Sequence, residues 1–155
     1  MTVQPAQPAD MEAILRMAAD FHAATCYAGI IPLDLATLED TIAGLAQNPN
    51  GVVLVAKDNT GQAVGMAAAI ANPHWFNASH KVGQEMFWWV DAAARGSRAG
   101  FALIAGLEDW AKAVHCRSIS MASTANLTPD VLGRVYLRRG YVPQDMFYSK
   151  VIHHA

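Results

Sequence analysis

Cysteine is scarce in this chain of 155 residues, with only Cys26 and Cys116, far apart in sequence. Neither zinc-knuckle nor dithiol redox spacing is present, so both thiols are expected to be reduced and buried. The six histidines are scattered singly except for His153 and His154 at the C-terminal end, and no metal site is expected. Charge is also sparse: Asp, Glu, Lys and Arg make up 15% of residues, too few for a solvating, disordered chain. Eleven basic residues against thirteen acidic ones give a net charge of −2 with no basic block, which argues against a nucleic-acid partner. No apolar run approaches the roughly 18 residues of a membrane span. Met1–Ala9 has no basic start followed by an apolar core, so a cytoplasmic protein with no membrane partner is expected. Internal repeats and low-complexity tracts are absent as well.

Apolar residues make up 53% of the chain, enough for a substantial core in one domain over residues 1–155. A chain this long buries roughly 70% of its unfolded surface without covalent staples. Thr2–Gln7 reads as a first strand interrupted by Pro5, and Ile14, Met17, Ala18 and Phe21 recur at helical spacing from Met11 to about Ala24. Cys26–Pro32 is a loop, and a second helix is expected from Leu35 to Ala46, stopped by Asn48-Pro49-Asn50-Gly51. Val52–Lys57 and Gln62–Ala71 flank the turn Asp58-Asn59-Thr60-Gly61 as a hairpin. Asn72–Gly83 is polar enough to read as a loop, although it carries Trp75 and Phe76.

Gln84–Val90 is aromatic and β-branched, as in a strand covered on both faces, with Trp88 and Trp89 pointing opposite ways. A helix from Ala99 to Val114 carries Leu103, Leu107, Trp110 and Val114 on one stripe. Ser118–Ala122 is expected as a strand, and a last helix starts at Thr128 or Asp130 and ends at Gly140. Tyr141–Val142 and Phe147–Ile152 are expected to close the chain as paired strands. The resulting order is β-α-α-β-β-β-α-β-α-β-β, an α/β fold with a mixed, mostly antiparallel sheet flanked by helices.

Strand, basic glycine-bearing turn and helix follow one another through Val90, Arg95-Gly96-Ser97-Arg98-Ala99-Gly100 and Phe101. The first N–H groups of a helix lack internal partners and sit at the positive end of its dipole, so small residues there leave room for a phosphate. In this register the chain resembles the GNAT superfamily of N-acetyltransferases, whose pyrophosphate loop reads Arg or Gln, two residues, Gly, one residue, then Gly or Ala. Val90, Arg95 and Gly100 match, as do Leu103 and Ile104 where the family has its leucine pair, whereas Arg98 replaces the central glycine. If position 98 required a left-handed backbone, arginine would cost about 1–2 kcal/mol there.

A second match lies in Gly133–Tyr141, where Tyr136 stands a few residues before Gly140-Tyr141. The resemblance implies acetyl-CoA as co-substrate, a primary amine acceptor and direct attack in a ternary complex. It assigns the backbone of Gly96, Ser97, Ala99 and Gly100 to pyrophosphate, with charge from Arg95 and Arg98, and the Val90 backbone to the thioester carbonyl. Asn126 would reach the coenzyme A arm, Tyr136 would protonate the leaving thiolate, and His22, Tyr27 and Trp75 would meet the acceptor. An amine with a pKa of about 10.4 must lose a proton before it attacks, and Glu85, on the strand of Val90, is the candidate base. Register decides that role, because a slip of one residue turns Glu85 to the other face. A homodimer is consistent with a small member of the family. The alternative is a non-catalytic module of the same fold that binds acyl-CoA or contacts a protein through Trp75 and Phe76.

Overall fold

Five strands form one sheet in the order β1-β2-β3-β4-β5 in the computed structural model, which describes residues 1–124, 126–127 and 129–152. They are β1 (Thr2–Pro5), β2 (Gly51–Lys57), β3 (Ala63–His74), β4 (Asn77–Val90) and β5 (Cys116–Ser120). The first four are antiparallel neighbours, and β5 joins β4 in parallel. The helices are α1 (Met11–Ala24), α2 (Leu35–Gln47), α3 (Ala99–Ala113) and α4 (Pro129–Arg138).

β3 reads A-V-G-M-A-A-A-I because both its faces are covered and small side chains let helices approach. On one face Ile14 and Met17 of α1 and Ile42 and Leu45 of α2 pack on Val53, Val55, Met66, Ala68 and Phe87. On the other, Leu103 and Leu107 of α3 pack on Leu54, Ala67, Ala69 and Val90. Closeness there requires Gly106, where an added Cβ would lie 2.9 Å from Leu54 Cδ1. Trp88 and Trp89 do point opposite ways: Trp89 belongs to the α1 face, edge-on to Phe21 at 6.0 Å, and Trp88 to the α3 face.

The first turn is tied to the sheet by one ion pair. Asp10 is 6% exposed, its Oδ1 lies 2.6 Å from Lys57 Nζ, and its Oδ2 accepts the Gln7 N–H at 3.0 Å. Burial pushes the Asp10 carboxyl up, but Lys57 and the Gln7 amide outweigh it and hold it below the usual value. Asp10→Asn leaves the ammonium of Lys57 without its counter-charge and is expected to cost about 1–3 kcal/mol in urea unfolding at pH 7. That cost should shrink as pH falls below the ordinary carboxylate value, because the wild type then loses the same charge.

Several expectations need correction. Asn72–Gly83 is not a loop: the ladder runs on through Asn72↔Val82, Pro73↔Lys81 and His74↔Asn77, leaving Trp75 and Phe76 as the tip. Its polarity reflects a hairpin that has run past the core, not a broken ladder. Val142–Ile152 forms no strand, and Phe147 and Tyr148 are 91% and 88% exposed, so the alternation there buries no face. β5 starts at Cys116 because the turn before it is made by His115, at φ 60°. Cys26 is exposed and Cys116 half-buried, and both are free thiols. Of the two expected starts for α4, Thr128 lies outside the described residues, as do His153 and His154.

Candidate active site

β4 and β5 pair only between Lys81 and Gln84 on the β4 side, and beyond that point they part. A cleft of about 620 Å³ opens in the gap. Its walls come from β4, the turn into α3, α1 and α4.

Glu85 reaches this cleft because of a bulge. Ala68 faces Phe87 while Ala69 faces Glu85, so Met86 is an extra residue on β4. Without it, alternation would put Glu85 on the α1 face with Phe87; with it, Glu85 shares the side of Ala69, Trp88 and the α3 cluster. The carboxylate is 8% exposed and lines the cleft. Burial raises its pKa from 4.5 to about 7, against the pull of the Ala122 N–H, which donates to Oε2 at 2.9 Å. Oε1 has no protein hydrogen bond among the described residues.

The carbonyl of the same residue, Ala122, holds Tyr136. Its hydroxyl donates to the Ala122 carbonyl at 2.9 Å and accepts the Trp88 indole N–H at 3.0 Å. Burial pushes this phenol well above its ordinary value, while the Trp88 bond pulls it down. α4 is fixed beneath it by Arg139, whose Nε donates to Glu108 of α3 at 2.9 Å. At the helix end, Gly140 at φ 86° and the bond from Tyr141 N–H to Tyr136 C=O form a Schellman turn. Tyr136 is 8% exposed and sits behind Trp88, which itself faces the cleft.

The turn between β4 and α3 is an open cradle. Gly96 takes φ 83°, the left-handed position, whereas Arg98 sits at φ −76° and ψ −6°. The arginine in place of the family's central glycine is therefore unstrained, and its side chain is exposed. Ser97 Oγ accepts the Ala99 N–H at 3.1 Å, and Arg98 C=O accepts from Ala102. The first-turn N–H groups of Gly100 and Phe101 are left for an anion. Gly96, Ser97 and Gly100 line the cleft, and a Cβ on Gly100 would press on the Trp88 ring at 3.3 Å. This cradle suits the pyrophosphate of coenzyme A.

Arg95 turns inward: its Nε donates to Val90 C=O at 3.1 Å and its guanidinium lies 4.4 Å from the centre of the Trp89 ring. Asp91 N–H pairs with Val64 C=O on β3, so alternation turns the Val90 N–H away from β3, toward the gap.

The remaining candidates are dispersed. Tyr27 lines the cleft and is 53% exposed. His22 does not line it, and its Nε2 is engaged with Ile31 C=O at 2.8 Å. Asn126 lines the cleft but its Nδ2 donates to Ala24 C=O at 2.9 Å, tying the segment after β5 to the end of α1. Ala99 is fully buried and contributes only backbone to the turn. Trp75 is at the hairpin tip, about 25 Å of strand from Glu85, and takes no part in the cleft. Sequence reasoning missed the Met86 bulge and the Ala122 peptide, neither of which has a residue signature. For Trp88 it favoured packing over direct chemistry. Among the described residues no cluster of His, Cys, Asp or Glu could hold a metal, and no helix is long and apolar enough to cross a membrane.

The chain belongs to the acetyltransferase (GNAT) family, whose profile matches residues 15–141. No curated protein sequence matches it. Among solved structures, a transcriptional regulator from Bacillus halodurans is 22% identical, with 99% of each chain covered and a TM-score of 0.78. An aminoglycoside 6'-N-acetyltransferase from Acinetobacter haemolyticus is also 22% identical, covering 99% of this chain and 100% of its own at a TM-score of 0.70. Glucosamine-6-phosphate N-acetyltransferase from Arabidopsis thaliana is 13% identical, with 96% of each chain covered and a TM-score of 0.75. At these identities the likeness is one of fold.

Proposed function

We propose that the protein transfers the acetyl group of acetyl-CoA to a primary amine by direct attack, with Glu85 as base and Tyr136 as acid. The observation that carries this reading is Glu85 itself: a buried carboxylate on the wall of the cleft, with a pKa of about 7 and one oxygen that has no hydrogen bond among the described residues. A carboxylate near its ordinary 4.5 would be a weak base toward an ammonium ion, whereas one poised near neutrality shortens the gap.

Bound coenzyme A would supply an activated thioester. The N–H groups of Gly100 and Phe101, with Gly96 and Ser97, would hold its phosphates, and the Val90 N–H would donate to the thioester oxygen. Glu85 Oε1 takes the proton that the amine must lose. Tyr136 Oη, which donates to Ala122 C=O at rest and lies behind Trp88, would have to give up that bond and gain access past the Trp88 ring to protonate the departing sulfur. A phenol is still protonated at neutral pH and can donate where an ionised carboxylate cannot.

Because the base must be ionised, kcat/KM is expected to rise with pH through about 7, and a profile flat across that range would remove Glu85 from the role. Tyr136→Phe is expected to lower kcat by about 10²–10⁴ while leaving acetyl-CoA affinity within a few-fold. A second reading, a protein-contact module, draws on Trp75 and Phe76, which are 82% and 75% exposed and stacked at 3.7 Å. Tyr136→Phe separates the two, since a contact module would lose nothing measurable.

A further inference from the structure

Part of the cleft wall is not used by the anion cradle. It comes from the C-terminal turn of α1 and the residues after it: Phe21, Ala24 and Tyr27. Phe21 stands edge-on to Trp89, and Asn126 closes over Ala24 by a hydrogen bond. Met86, the bulged residue beside Glu85, and Leu127 extend the same apolar surface. The α1 wall therefore offers aromatic side chains and a thioether to the same cleft that Glu85 lines from the α3 side of β4.

Charge is the deciding feature. Among the described lining residues Glu85 is the only acid and Arg95 the only base. The nearby carboxylates are engaged elsewhere, since Asp91 and Asp20 both pair with Arg16, at 2.6 and 3.3 Å. Asp130 is exposed at the start of α4 and does not line the cleft. A polycation entering here would find a counter-charge for one nitrogen, and its others would be desolvated beside apolar rings and Arg95. A sugar phosphate would find no polar cluster on the α1 wall.

Resting on the acetyltransferase reading, we infer that the acceptor is a monoamine on an apolar, aromatic or alkyl body, its nitrogen at Glu85 and its body against Phe21, Tyr27 and Met86. The wall selects by burying that body and rejects by giving additional charges no partner.

The test compares initial rates of acetyl transfer from acetyl-CoA to phenethylamine, hexylamine, spermidine, kanamycin and glucosamine 6-phosphate. Phenethylamine and hexylamine are expected to exceed the others in kcat/KM by about 100-fold or more. Phe21→Ala should lower kcat/KM for phenethylamine about tenfold or more with the KM for acetyl-CoA unchanged. The exposed Tyr27 tolerates substitution, so Tyr27→Asp, which adds a second carboxylate, should narrow the preference toward spermidine even if Phe21→Ala fails to fold. Preference for spermidine, kanamycin or the sugar phosphate in the wild type would overturn the inference. Calorimetric titration with phenethylamine separates it from the reading beneath it. Binding that weakens in Tyr27→Asp with no turnover of any amine would keep the acceptor site and sink the transferase role, whereas absence of binding would sink the site.

Discussion

Glu85→Gln is expected to leave a nearly inactive protein that is more stable than the wild type at pH 8. The carboxyl has an ordinary pKa of 4.5 and a folded value of about 7, so the folded protein holds this proton where the unfolded chain has released it. Stability from this group is complete below 4.5, declines as pH rises toward 7, and is fully lost above that. The gap corresponds to about 3 kcal/mol. Gln has the same shape, can still accept the Ala122 N–H and carries no charge to desolvate. For a domain of this size, that gain should raise Tm by roughly 6–12 °C at pH 8 and by almost nothing at pH 4.5. Thermal unfolding of both proteins at the two pH values measures it. A Tm difference independent of pH would mean that Glu85 is not held ionised at a cost. Activity runs the other way, with an expected loss of about 10²–10⁴ in kcat/KM at pH 8.

Ser97→Asp should separate binding from stability just as sharply. Ser97 Oγ accepts the Ala99 N–H just ahead of the helix, a bond Asp can make as well, and a negative charge at a helix N-terminus is favourable by about 0.3–1 kcal/mol. The unliganded variant should therefore unfold at or above the wild-type temperature. The same charge would stand in the cradle proposed for pyrophosphate, where like charges about 4 Å apart repel by up to about 4 kcal/mol at an intermediate dielectric. Acetyl-CoA affinity is expected to fall by about 100-fold or more, read by calorimetry at low and high salt. Unchanged affinity would place the phosphates elsewhere.

The legible parts of this protein were those written in side-chain pattern. Ile14, Met17 and Ala18 marked α1, Asn48-Pro49-Asn50-Gly51 ended α2, and Gly140 ended α4, because spacing and backbone freedom leave direct traces in residue type. Arg95 and Gly100 marked the turn, and the strain that arginine would bring to a left-handed position 98 does not arise, because Gly96 bears that conformation. What escaped was written in the backbone. No residue type announces the bulge at Met86, yet it decides which face Glu85 occupies. The outer arms of the β3–β4 hairpin were illegible because period-two alternation records burial, and these arms are wet on both sides. Asn126 and His22 look like ligand contacts by type, but each makes a bond to a main-chain carbonyl, which a sequence does not display.

The main chain at Ala122 carries that lesson into what the protein can tolerate. Its N–H meets the proposed base and its C=O meets the proposed acid, so both contacts are indifferent to the side chain at position 122, which is exposed. Ala122 lines the cleft, so a large side chain there would narrow it while keeping both bonds, whereas proline, which has no N–H, would take the bond from Glu85 itself. The residue that touches both proposed proton-handling groups does so through its main chain, so a scan that reads side chains alone would miss what it does there.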